Sequence, residues 1–125
     1  MSKILDNEFI EKLLDAGWDW DSEKLSPEDA KKMQEHEGEY NRISGRINEL
    51  GRRLDSLTDA ELAEYNDSVE AIKEFHHLEA RRQTTEELQK FSDDMAKRDY
   101  ERTPYVSVVI EAYEEALAQK KAESR

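Results

Sequence analysis

The chain has 125 residues, no cysteine, 36% apolar and 40% charged residues and a net charge of −12. That length fits a single domain, 1–125, and the lack of cysteine excludes disulfides, thiolate metal sites and a cysteine nucleophile. A thin core under a large charged surface suits an elongated helical bundle better than a compact α/β enzyme, and the absence of any basic stretch excludes direct binding to nucleic acid or to an anionic membrane.

The first predicted helix covers about 6–17. Leu5, Phe9, Leu13 and Leu14 share one helical face, and Gly17 suits a C-terminal stop. The segment AGWDWD, residues 16–21, follows. It holds both tryptophans of the chain, Trp18 and Trp20, alternating with Asp19 and Asp21. A tryptophan at a connector covers a bundle end with its ring while the indole N–H finds an acceptor. It serves equally as a binding anchor. One of the two suffices to close the end over Met33 or the last helix, and the outward one is expected at a partner site.

The second predicted helix, about 27–57, has the clearest start. Ser26 offers an N-cap oxygen, Pro27 fits the first helical position, and Glu28 and Asp29 suit the positive end of the helix dipole. Met33, His36, Tyr40, Ile43, Ile47, Leu50, Leu54 and Leu57 recur at alternating steps of three and four, a heptad seam. Gly38, Gly45 and Gly51 lie off that seam and weaken the helix unless it packs against something.

Thr58 and Glu61 form the pattern of a capping box, with Leu57 and Leu62 at the staple positions. A third helix, about 59–83, therefore starts directly after the second, as in an antiparallel αα-hairpin. Its seam of Leu62, Tyr65, Val69, Ile72, His76 and Glu79 pairs Leu54 with Leu62, Leu50 with Tyr65, Ile47 with Val69, Ile43 with Ile72, Tyr40 with His76, and His36 with Glu79. Thr84 and Glu87 form a second capping-box pattern, predicting a helix over 85–101, although neither Gly nor Pro enforces a break from the third. Thr103 and Pro104 open the last helix, about 104–120. Its first half, YVSVVI, is apolar on more than one face, which points to a central position or a subunit contact. The fold class is thus all-α: an elongated bundle of four to five helices built on a long hairpin.

Catalytic patterns are sparse. Glu74 and His77 form one E-x-x-H, but a di-iron bundle site needs a second such pair and further inward carboxylates. HEGEY, residues 36–40, lacks the second histidine of a zinc protease. No nucleophile motif and no phosphate-cradling glycine loop appears. The reading is of a non-enzymatic protein with no catalytic set, metal or cofactor, and with no span for a membrane. The cytoplasm is the expected compartment. It acts by binding a protein partner with a basic surface through Trp18, Asp19, Trp20 and Asp21, and self-associates through its second or last helix as a homodimer. The alternative is a nucleic-acid mimic that inhibits a basic nucleic-acid-binding enzyme, in the manner of phage anti-defence proteins. Against mimicry, 19 Lys and Arg are interspersed with the 31 acids.

Overall fold

The computed structural model describes residues 5–97 and 102–123, with Ser22 through its backbone alone. Over these residues the fold is all-α. The helices are α1 (Asn7–Asp15), α2 (Pro27–Gly51), α3 (Asp59–Ala80), α4 (Thr85–Lys97) and α5 (Pro104–Glu123), with 3₁₀ turns at Ser22–Lys24 and Leu54–Ser56. Residues 98–101, the expected end of the fourth helix, lie outside the described residues.

Side-chain caps set most of the starts. The Asp6 carboxylate accepts from the Phe9 N–H at 3.2 Å, and the Ser26 hydroxyl from the Asp29 N–H at 3.2 Å. Thr58 and Glu61 exchange backbone-to-side-chain bonds, both 3.1 Å, and Thr84 and Glu87 do the same, both 3.1 Å. The Thr103 hydroxyl accepts from the Val106 N–H at 3.2 Å. Each such cap stabilises its helix by about 1 kcal/mol. The Thr84 box also settles the break after α3: α3 ends at Ala80, Gln83 N–H turns back to the Ala80 carbonyl, and α4 starts afresh.

The second helix is shorter than its seam. It stops at Gly51, not Leu57, and the chain turns away through Arg52 and Arg53 into the 3₁₀ turn. Pro104 lies against Gly51, so close that a Cβ there would stand 2.6 Å from the Pro104 ring. Leu54 continues the heptad in sequence but is 46% exposed, and its expected partner Leu62 is 43% exposed.

α2 and α3 are linked by a two-pronged Arg46–Glu64 contact (2.7 Å for each nitrogen) and the Tyr40 hydroxyl with His76 Nε2 (2.7 Å), and Arg53 of the connecting turn reaches Glu61 (2.7 Å). Numbers fall along α2 as they rise along α3, so these helices run in opposite directions. The Arg53 and Thr58 contacts hold the Glu61 carboxyl down at about 2. Ile43, Ile47 and Ile72 share the central core with Leu5, Ala71 and Val108, and Val69 packs on it. The expected His36–Glu79 pair does not form. Asn7 of α1 takes His36, and Tyr113 of α5 takes Glu79.

α5 is the central element. It packs on α2, α3 and α4, and its contact with α3 is the largest between any two helices. Val108, Ile110, Ala112, Ala116 and Leu117 are buried. They face three neighbours, which explains why this helix is apolar on more than one side. Lys73 reaches across from α3 to Glu111 (3.1 Å) and Glu115 (2.8 Å) of α5 instead of serving acids on its own helix. A second core at the far end joins Ala80, Leu88, Ala116 and Leu117. A third, of Ile10, Met33 and Leu78, seats α1. None of the described helices is long and apolar enough to cross a membrane.

Candidate functional site

The connector after α1 is built by backbone hydrogen bonds. Gly17 N–H bonds the Leu14 carbonyl and Trp18 N–H the Leu13 carbonyl, both 3.0 Å, with Gly17 at φ +90°. This is the Schellman stop, in which the glycine takes a left-handed conformation that costs other residues a Cβ clash. The motif turns Trp18 back onto its own helix. Its ring packs with Leu13 and Leu14 on the Ile10–Met33–Leu78 core, and its indole N–H donates to the Asp21 carbonyl at 2.8 Å.

Trp20 turns the other way. It is 41% exposed and has φ +70°, the one positive φ among the described non-glycine residues. For a bulky side chain that backbone costs about 1–2 kcal/mol. Its ring centroid stands 4.9 Å from that of Trp18 and 6.0 Å from that of Phe75, edge-on to the latter. The surrounding hydrogen bonds hold the conformation. Asp19 accepts from the Asp21 N–H (3.4 Å) and from Lys24 Nζ (2.8 Å), and Asp21 accepts from the Glu23 N–H (3.0 Å). Lys24 keeps the Asp19 carboxyl below its usual range. The four expected partner residues thus sit on one connector with separate roles: Trp18 closes the end of the bundle over Met33, Asp19 and Asp21 brace the turn, and Trp20 is presented to solvent.

Beside Trp20 lies an open cleft of about 230 Å³, lined by Met33, His36, Glu37, Tyr40, Asn41 and Phe75 as well as Trp20. Phe75 is its hub. It belongs to both the central and the α1 core and contacts Trp20, His36, Tyr40 and His76 ring to ring at 5.2–6.0 Å. His36, in the cleft wall, is buried; Asn7 Oδ1 stands 3.4 Å from its Nε2, while Asn7 Nδ2 donates to the Ala71 carbonyl at 3.3 Å. Burial pushes the His36 pKa down, so the ring stays neutral at pH 7.

Behind the cleft a polar layer joins three helices. The Tyr40 hydroxyl bonds both His76 and the Tyr105 hydroxyl; His76 Nδ1 lies 3.7 Å from Glu79, and Glu79 accepts from the Tyr113 hydroxyl at 3.1 Å. Burial first, and the neighbouring acidic groups second, push the Tyr113 phenol up; burial and then the Tyr105 hydrogen bond do the same for Tyr40. Both phenols stay protonated and act as hydrogen-bonding groups rather than nucleophiles. Phe75, Asn7, Tyr105 and Tyr113 were not singled out in the sequence. Phe75 carried one signal: with Ser68, Ala71 and Leu78 it forms a second stripe at steps of three and four on α3.

The E-x-x-H pair lies one turn apart on α3, along an open surface hollow. Glu74 is exposed, and His77 Nε2 stands 3.3 Å from Glu115 of α5. No group of three or more metal-ligating side chains gathers among the described residues. No protein-family model matches the chain, and neither does any curated protein or solved structure.

Proposed function

We propose that this chain acts by binding another protein, and that Trp20 with its adjoining cleft is the contact surface. One observation carries the reading: a large aromatic side chain is held in solvent on a backbone that costs free energy, next to an apolar cleft. Strain of this kind persists when the surroundings impose it, and it concentrates at binding and switching sites. Tryptophan contributes more than most residues when an interface closes over it.

The nucleic-acid-mimic reading has weaker support. A mimic needs rows of unpaired carboxylates, but here Arg42, Arg46, Arg53 and Lys73 are each paired with one or two acids. That is a mixed, solvated surface.

Affinity capture from the native host, with wild type and Trp20→Gly run in parallel, tests the proposal. Glycine keeps the left-handed backbone, so this variant removes the ring without imposing new strain. A partner retained by wild type and lost by Trp20→Gly is the expected result. Identical capture by both overturns the proposal. A complex that dissociates steeply with added salt and contains a nucleic-acid enzyme favours the mimic instead.

A further inference from the structure

We infer that the Trp20 cleft receives a basic side chain, lysine or arginine, from the partner protein; this rests on the protein-binding reading above and names what the cleft recognises. The first argument is the shape of its walls. Phe75 meets Trp20 at 67° and Tyr40 at 60°, so the three rings are inclined to one another and do not form a parallel stack. Three aromatic rings thus line one cleft, and that of Trp20 is partly open to solvent; aromatic faces attract cations. Met33 adds an apolar wall suited to the methylene stem of a long side chain.

The second argument is charge. Glu37 lines the cleft and has no cationic partner among the described residues, unlike Glu39, which Arg42 holds at 2.9 Å. The only imidazole in the wall, His36, is buried against Asn7 and contributes no competing positive charge when neutral. The net charge of −12 draws basic partners toward the whole molecule. The third argument is the strained backbone that keeps Trp20 beside the cleft when a relaxed conformation would release it.

The test is an NMR titration of the full-length chain with three blocked tripeptides, Gly-Lys-Gly, Gly-Arg-Gly and Gly-norleucine-Gly. Norleucine keeps the lysine stem and removes its charge. At least one basic peptide is expected to shift the Trp20 indole N–H and the Met33 methyl resonances, with norleucine leaving them in place. Glu37→Gln, at an exposed position without an ion pair, is expected to weaken the binding about two- to fivefold, and Trp20→Gly to weaken it about tenfold. If norleucine shifts the same resonances as strongly, the cleft is an apolar dock, and the charge inference falls while the protein-binding reading stands. If no basic peptide moves them although wild type captures a partner that Trp20→Gly loses, the inference again falls alone. If the peptides fail and both proteins capture the same partners, both readings fall.

Discussion

Replacing the three glycines of α2 by alanine should give effects of opposite sign. An exposed glycine inside a helix costs about 1 kcal/mol relative to alanine. Around Gly38 and Gly45 nothing lies within 4 Å of an added Cβ. Gly38→Ala and Gly45→Ala should therefore each stabilise the fold by about 0.5–1 kcal/mol, and two turns apart they should add. Gly51 is different. Its added Cβ would meet Pro104 Cβ at 2.6 Å, Pro104 Cγ at 2.9 Å and the Tyr65 ring at 3.4 Å. The proline ring is stiff and opens α5, so relief requires moving the central helix. Overpacking of this kind costs about 1–3 kcal/mol, more than the propensity gained. At about 2.1 cal/mol/K per residue, unfolding entropy for this chain converts 1 kcal/mol into about 4 °C. Thermal unfolding followed by far-ultraviolet circular dichroism should place Gly38→Ala/Gly45→Ala about 4–8 °C above wild type and Gly51→Ala below it, by up to about 8 °C. A rise for Gly51→Ala matching the other two would refute the close α2–α5 approach. A fall for Gly38→Ala, with a change in mass by light scattering, would show that face covered by a second copy.

Tyr40→Phe strips a hydroxyl that serves both His76 and Tyr105. It should cost about 1–3 kcal/mol in urea unfolding, and a cycle with Tyr105→Phe should show coupling; additive losses would show that the two phenols do not bond. Acid should destabilise the protein in two windows. The Glu61 pKa is depressed from 4.5 to about 2, so its contribution is complete above 4.5 and lost as pH falls through about 2; the stability difference between wild type and Glu61→Gln should shrink across that range. His36 is also depressed, from 6.5, so the unfolded chain takes the proton first and stability falls as pH drops below 6.5. His36→Leu should flatten that slope, and an unchanged slope would assign it to another group.

Local chemistry was the legible part. Ser26, Thr58, Glu61, Thr84, Glu87, Thr103 and Gly17 act within a turn of where they stand, so their spacing in sequence already contains their hydrogen bonds. The end of α2 was not legible. The heptad continues through Leu54 and Leu57, whereas the helix ends at Gly51, where Pro104, far along the chain, packs against it. The same distance hid most of the polar layer. The seam register already paired Tyr40 with His76, but Asn7, which takes His36, and Tyr105 and Tyr113, which extend the layer, come from α1 and α5, outside the two seams. α3 has neighbours on several sides and needs a wider apolar arc than one seam, so reading one seam passed over Phe75. For the tryptophan connector, the sequence posed the question of which ring faces out. The Schellman turn at Gly17 answers it, because it folds Trp18 inward and leaves Trp20 to the solvent.

The adjoining pair of indoles gives this protein a private spectroscopic channel. Trp18 and Trp20 are the only tryptophans in the chain, and they sit on one connector with their rings 4.9 Å apart. Light absorbed selectively by indole is therefore emitted from this one corner of the bundle, while the amide signal reports the five helices. Quenching or a colour shift with unchanged helicity means the corner has opened or been covered; loss of both together means the bundle has melted. Occupancy and stability can thus be followed separately in a single unlabelled sample.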